Sequence, residues 1–166
     1  MATTSTQRTG VGAARRDYDL LRKVTAAVGL VFLLVGIAGF IPGITTDYGD
    51  MAVGGPDSEA KLLGIFQVSI LHNIVHLAFG VLGLAAAKAW SSARLFLVGG
   101  GVIYLALWLY GLVIDKDSDA NFVPLNTADD WLHFGLGVGM IALGALLWNG
   151  RPARSGAARN TASRNR

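Results

Sequence analysis

Four long runs of the sequence contain no Asp, Glu, Lys or Arg, and they restrict the fold more than any other feature. They cover residues 24–44, 62–87, 95–114 and 131–148. Because an α-helix rises about 1.5 Å per residue, about 20 helical residues cross the roughly 30 Å hydrocarbon core of a bilayer. The mean hydropathy of +0.48 and the 15% content of charged residues are also unusual for a soluble domain. We therefore predict an all-α integral membrane protein with four transmembrane helices.

An internal repeat relates the second and fourth runs. Residues 69–84 read SILHNIVHLAFGVLGL, and residues 126–141 read NTADDWLHFGLGVGMI. At a constant offset the two segments share polar and glycine positions, which are the pairs Asn73 and Asp130, His76 and His133, and Gly80 and Gly137. This repeat predicts a four-helix bundle built from two parallel helical hairpins.

The repeat also divides the longest apolar run into two elements. Residues 65–69 align with a segment that contains Pro124, and proline disfavours helix in the residue before it. We therefore expect Ser69 to be the N-cap of the second helix, and Asn126 or Thr127 to be that of the fourth. The four spans are then predicted at about residues 24–44, 69–87, 95–114 and 127–149.

Positive charges are distributed unevenly around these spans. Twelve of the fourteen Lys and Arg residues lie before the first span, between the second and third, or after the fourth, and only Lys61 and Lys116 lie in the other two loops. By the positive-inside rule, both termini are cytoplasmic. The predicted organisation is a disordered basic arm at residues 1–19, a membrane domain at 20–149 and a disordered basic tail at 150–166.

Five polar side chains interrupt the outer halves of the second and fourth spans: His72, Asn73, His76, Asp130 and His133. Lipid cannot hydrogen-bond to them, so we expect them to form one inward-facing polar layer in which Asp130 accepts a hydrogen bond from His76 or Asn73. Other interpretations remain open. The three histidines could bind zinc, copper or iron, and haem could be held between His76 and His133. Ionisable groups at this depth could also relay protons in a small transporter.

Two weaker patterns point to further candidate residues. Oxygen-bearing side chains alternate as in a calcium-binding loop at Asp115, Asp117, Asp119 and Asn121, but Ala120 and Asn126 stand where that loop has Gly and Glu. Glycines that would let helices approach closely recur on the first and fourth spans at Gly29, Gly36, Gly43, Gly135 and Gly139. They predict packing within the chain or between copies.

Three segments carry a family resemblance: LHN-x-x-H at residues 71–76, the glycine-rich third span, and N-F-x-P-L-N-x-x-D-x-x-LH at residues 121–133. With them, the chain resembles, over about residues 17–147, the bacterial membrane family catalogued as domain of unknown function 4383. The resemblance implies a four-helix integral membrane protein and implies no activity, and we expect that protein to lie in the plasma membrane.

These observations favour a non-enzymatic interaction or scaffold protein. Its expected partners are the lipid bilayer and other membrane proteins or a second copy of itself. Nucleic acid is not expected, because the positive charges that raise the pI to about 9.5 follow the predicted topology. No cofactor and no catalytic residue is expected, and the absence of cysteine excludes iron–sulfur and thiolate zinc sites. The alternatives are a histidine-based metal- or haem-binding redox or sensor protein, and a small transporter.

Overall fold

The structure, a computed structural model, describes residues 4–147, with side chains from residue 16 onward. Four α-helices carry the fold: α1 (Thr4–Ala38), α2 (Ile70–Ala86), α3 (Trp90–Val113) and α4 (Thr127–Leu146). The segment between α1 and α2 holds a short 3-10 helix, Tyr48–Asp50, and an antiparallel sheet in the order β1 (Thr45–Thr46), β2 (Lys61–Leu62) and β3 (Phe66–Gln67). The sequence pattern does not predict this sheet, because two-residue strands are too short to show alternation.

The helices pair in sequence order, α1 along α2 and α3 along α4. Glycines allow the close approach within each pair. A methyl group at Gly80 would lie 2.9 Å from the carbonyl oxygen of Gly29, and one at Gly137 would lie 3.0 Å from that of Gly101. The bundle therefore consists of two tightly packed helical hairpins.

The two hairpins meet around a core of buried apolar side chains. Phe32 of α1 stacks on Tyr104 of α3, with ring centroids 5.5 Å apart. Leu97 of α3 and Met140 of α4 are buried in the same cluster. Aromatic and aliphatic contacts thus join the hairpins.

The predicted starts of α2 and α4 are confirmed. The Ser69 hydroxyl accepts a hydrogen bond from the backbone nitrogen of His72 at 3.1 Å, as an N-cap does. The Asn126 side chain accepts from the backbone nitrogen of Asp129, and the Asp129 carboxylate accepts from that of Asn126. This reciprocal pair is a capping box, which satisfies amide groups that the helix itself leaves unpaired.

The other helix boundaries differ from the predicted ones. Residues 1–19 were expected to be a disordered arm, but α1 is helical from Thr4, because the Ala, Arg and Leu residues before the first span favour helix and no proline stops it. The helix ends at Ala38 rather than at residue 44, since Gly39 and Pro42 follow.

At the opposite end of the bundle, α3 begins at Trp90 rather than at residue 95. The turn between α2 and α3 is therefore short. The Ser92 hydroxyl stabilises it by donating to the carbonyl oxygens of Ala86 and Ala89. The predicted tail at residues 150–166 and the last residues of the fourth span lie outside the described residues.

Among the helices of residues 4–147, two are long and apolar enough to cross a membrane. They are the Arg16–Ala38 part of α1 and the whole of α3. Helix α2 is also apolar but is shorter. By their length and composition, α1 and α3 suggest a membrane protein.

Candidate functional site

The five polar residues that interrupt the predicted second and fourth spans are all buried. His72, Asn73 and His76 lie in the first turns of α2, and Asp130 and His133 lie in those of α4. Their relative exposure is between 0% and 8%. Both helices therefore turn these polar side chains away from their exposed faces.

A chain of ring contacts connects the three histidines. His72 and His76 have ring centroids 4.1 Å apart, as expected for residues one helical turn apart. Phe32 lies 5.7 Å from His76, and Tyr104 lies 5.1 Å from His133. Because Phe32 also stacks on Tyr104, the histidines of the two hairpins belong to one aromatic cluster.

The surroundings of the histidines bear on the metal and haem interpretations, which stay predictions. Within residues 4–147, no group of three or more His, Cys, Asp and Glu side chains is arranged to hold a metal ion. The Nδ1 atom of His76 donates to the carbonyl oxygen of His72 at 3.0 Å, which fixes its ring against its own helix. A haem between His76 and His133 would have to displace Phe32 and Tyr104.

Asp130 has a different partner from the one that the repeat predicts. Its Oδ2 atom accepts a hydrogen bond from Lys116 Nζ at 2.7 Å, and neither His76 nor Asn73 donates to it. The same ammonium group donates to the carbonyl oxygen of Gly111 at 2.9 Å. Sequence reasoning missed Lys116, although it is one of only two positive residues in the predicted outer loops.

Asn73 occupies the corresponding place in the first hairpin. A methyl group at Gly39 would collide with the Asn73 amide, just as one at Gly111 would collide with the Asp130 carboxylate. Asn73 Nδ2 lies 3.8 Å from the Met51 sulfur, which is a weak acceptor. Each hairpin thus places one polar side chain against a glycine near the end of its first helix.

Several buried polar atoms of this region have no hydrogen-bond partner within the described residues. They are His72 Nδ1, Asn73 Oδ1, Trp108 Nε1, Asp130 Oδ1 and His133 Nδ1. An unsatisfied buried polar group costs about 1–3 kcal/mol. The region therefore retains hydrogen-bonding capacity that the protein itself does not use.

Asp129 is a second residue that the sequence analysis did not include among its candidate site residues. Its Oδ2 atom accepts hydrogen bonds from the backbone nitrogens of Asn126 and Gln67, both at 3.0 Å. Gln67 belongs to β3, so this one carboxylate joins the first hairpin's loop to the start of α4. The capping-box spacing of Asn126 and Asp129 is the pattern that could have identified it.

The calcium-like loop is held together by its own hydrogen bonds. The Asn121 side chain donates to the carbonyl oxygens of Lys116 and Leu125 and accepts from the Leu125 nitrogen at 2.9 Å. Asp115 Oδ1 accepts from the Asp117 nitrogen. The buried amide of Asn121 is therefore committed to the loop, and the predicted cation site, which also includes Asp119, stays a prediction.

The five predicted packing glycines fall into three groups. Gly29 and Gly36 pack against α2, where a methyl group at either would lie 2.8 Å from a backbone nitrogen. Gly43 lies in the turn after α1 with a φ of +90° and has open space around it, so its predicted role in helix packing is wrong. A methyl group at Gly135 or Gly139 would also meet no atom within 4 Å, so these two glycines do not pack against another described helix.

Gly135 and Gly139 instead line an apolar groove between α1 and α4. The groove has a volume of about 330 Å³ and extends along α1 from Val24 to Phe32 and along α4 from Gly135 to Leu143. At the contact between α2 and α3, Phe79 and Phe96 fill the space, with ring centroids 5.2 Å apart. One contact between the hairpins is therefore packed, and the other is open.

Comparison with known proteins identifies one family. Residues 22–146 match the family described as "Domain of unknown function (DUF4383)". No curated protein and no solved structure matches the chain. The match covers most of the sequence and agrees with the resemblance of its LHN-x-x-H and N-F-x-P-L-N segments, so the chain belongs to the DUF4383 family.

Proposed function

We propose that this protein is a four-span interaction or scaffold protein of the bacterial plasma membrane, without enzymatic activity. Its two hairpins are parallel repeats, and both termini are cytoplasmic. Its groove between α1 and α4 receives a transmembrane helix of another membrane protein. A second copy of the chain is the alternative occupant, and crosslinking distinguishes the two.

Matched contacts support the repeat. Gly80 packs on Leu33 and Gly29 in the first hairpin, and Gly137 packs on Leu105 and Gly101 in the second. The spacing from Gly29 to Leu33 equals that from Gly101 to Leu105. Related contacts at matching sequence positions are expected when two hairpins share one geometry.

The observation that carries the interaction proposal is the open groove. Membrane helices associate through small residues that let their backbones approach. A methyl group at the glycines of the two hairpin interfaces, such as Gly29 and Gly101, would meet atoms of the facing helix, whereas Gly135 and Gly139 face open space on α4. Val31, which lines the α1 side of the groove, is 54% exposed. A ridge of side chains from another helix would fit between these two walls.

Site-directed photocrosslinking in living cells tests this proposal. A photoreactive residue at Val31 should form a defined adduct that mass spectrometry assigns to a membrane helix of another protein, whereas an adduct with a second copy of this chain would support the alternative occupant. Ile103 is the matched control, because it is similarly exposed but lies on α3, outside the groove. Gly139→Leu should abolish the Val31 adduct, whereas Ala78→Leu on the exposed face of α2 should leave it. Equal adducts from Val31 and Ile103 would contradict the proposal.

Cysteine labelling tests the topology independently, because the chain has no cysteine of its own. Asp50→Cys and Asp117→Cys should react with an impermeant maleimide on intact cells. Ser91→Cys, at the start of α3, should react only after lysis. Reaction of Ser91→Cys on intact cells would overturn the proposed orientation.

A histidine-based ligand site is the second candidate function. The unpartnered Nδ1 atoms of His72 and His133 favour it, since imidazole nitrogen without a hydrogen bond can bind a ligand. Absorption spectroscopy and metal analysis of the purified protein test it. Stoichiometric metal or a haem spectrum that disappears in His133→Ala would support this candidate, and their absence from protein purified without chelator would remove it.

A further inference from the structure

The turn between β2 and β3 exposes apolar side chains in a conformation that such residues rarely adopt. Leu63 has a φ of +55° and Gly64 has a φ of +71°. Turns with two positive φ angles favour Asn or Asp followed by Gly, because a leucine side chain is strained there. Leu63 is nevertheless 65% exposed, and Ile65 beside it is 53% exposed. The turn therefore keeps apolar groups on the surface despite backbone strain.

Hydrogen bonds hold this turn at the level where α4 begins. Asn126, the N-cap of α4, donates from its side chain to the carbonyl oxygen of Ile65 at 2.7 Å. The backbone nitrogen of Leu63 donates to the carbonyl oxygen of Ile44 at 2.8 Å. On the α1 side, Thr45 donates to the carbonyl oxygen of Ala38, the last residue of that helix. The turn is thus fixed at the outer ends of α1 and α4.

A positive charge lies two residues before the turn. Lys61 is exposed, and within the described residues it forms no ion pair. Lys116, the other lysine of the outer loops, is paired with Asp130. Lys61 is therefore available to a negatively charged group outside the protein.

We propose that Leu63, Ile65 and Lys61 form an anchor in the outer leaflet of the membrane. The two apolar side chains enter the boundary between headgroups and acyl chains, and the Lys61 ammonium binds lipid phosphate, as amphipathic surface segments do. The partner is lipid rather than protein because the turn is tied to the helix ends that mark the membrane boundary. This inference rests on the four-span arrangement proposed above.

Fluorescence quenching in vesicles of phosphatidylethanolamine and phosphatidylglycerol tests the anchor. A polarity-sensitive fluorophore on Leu63→Cys should be quenched by lipids that carry a nitroxide near the headgroup and protected from aqueous iodide. The same label on Gly49→Cys, in the exposed 3-10 helix, should show the reverse pattern. If the two labels respond alike to iodide, the anchor is absent.

A third label separates failure of the anchor from failure of the membrane arrangement. Val81 lies on the exposed face of α2, so a label on Val81→Cys should be quenched by a nitroxide deep in the acyl chains. If Val81 is quenched and Leu63 is not, only the anchor is wrong. If neither is quenched, the four-span arrangement is wrong and the anchor falls with it.

Leu63→Asn distinguishes membrane contact from a structural role. Asparagine tolerates positive φ, so the turn and the melting temperature in detergent should be preserved. A label on Ile65→Cys should nevertheless lose about half of its nitroxide quenching when Leu63→Asn is added, because the apolar anchor is smaller. Lys61→Gln should reduce quenching only in vesicles that contain phosphatidylglycerol. Undiminished quenching in both variants would overturn the proposal.

Discussion

Both hairpins place a polar side chain against a glycine, but the two polar side chains differ in charge and in partner. In the first hairpin, the neutral amide of Asn73 lies against Gly39 beside the Met51 sulfur. In the second, the carboxylate of Asp130 lies against Gly111 and needs the Lys116 ammonium. The glycine contact therefore sets the space for the side chain, while the following loop decides whether that side chain can carry a charge.

The contacts between the hairpins differ in a second way. The rings of Phe79 and Phe96 fill the contact between α2 and α3. The side chains of Val24 and Leu136, by contrast, line a groove that stays open between α1 and α4. Four predictions test these two differences, beginning with the substitution that should destabilise the protein most.

Removing the positive charge of the second hairpin should have the strongest effect. Lys116→Met leaves the buried Asp130 carboxylate without a partner, so the free energy of unfolding in detergent should fall by about 2–4 kcal/mol. The lower part of that range reflects the 30% exposure of the Lys116 side chain. The double variant Lys116→Met with Asp130→Asn should recover most of the loss, because the second hairpin then carries a neutral amide as the first does. A double variant as unstable as the single one would refute this comparison.

Adding a methyl group inside each hairpin should cost a similar amount in both. A methyl group at Gly80 would lie 2.6 Å from the Leu33 nitrogen, and one at Gly137 would lie 2.7 Å from Leu105 Cγ. Gly80→Ala and Gly137→Ala should each lower the free energy of unfolding by about 1–3 kcal/mol, the usual effect of overpacking. A loss confined to one variant would show that the two hairpins are not packed alike.

Filling the groove should make the two hairpin contacts alike. Val24→Phe with Leu136→Phe introduces at α1 and α4 the pair of rings that α2 and α3 already have, and an aromatic pair contributes about 0.5–1.5 kcal/mol beyond area burial. Thermal unfolding in detergent should therefore shift to higher temperature, and the Val31 crosslink in cells should disappear. The reverse exchange, Phe79→Leu with Phe96→Val, should lower the unfolding temperature and leave that crosslink intact.

The weakest effect is expected at the unpacked glycine of the groove. Gly135→Ala meets no neighbouring atom, and alanine is favoured over glycine in a helix by about 0.8–1.0 kcal/mol. The isolated protein should gain up to that amount of stability, which is opposite in sign to the effect of Gly137→Ala two residues later. Loss of stability in Gly135→Ala would mean that another helix already occupies the groove in the purified protein.

The parts of the fold that could be predicted depend on local sequence. Ser69 and Asn126 cap helices through hydrogen bonds to residues no more than three positions away, so the sequence pattern contains the whole interaction. The Asp130 partner could not be deduced, because Lys116 reaches it across a loop whose path the repeat does not specify. The repeat instead predicts a hydrogen bond to Asp130 from His76 or Asn73. Asn73 and Asp130 do occupy matching positions in the two hairpins, but no hydrogen bond joins them.

The groove was unpredictable for a related reason. Gly135 and Gly139 lie in the same helix as Gly137, which does pack on α3, and the sequence does not say which face of α4 meets α3. What decides the outcome is the volume of side chains on other helices, such as Phe79 and Phe96 on one side of the bundle. Volume complementarity between distant segments is a property of the packed structure.

The Asp129 carboxylate has a consequence for how the molecule could move. It binds the backbone of β3 and of the α4 N-cap, and the sheet that contains β3 is also fastened to the end of α1. Hydrogen bonds therefore join the two hairpins at this one end of the bundle. Any widening of the space between α1 and α4 must pivot about this joined end and be greatest at the opposite ends of the two helices. A tightly bound helix would therefore change the distance between α1 and α4 most at those opposite ends.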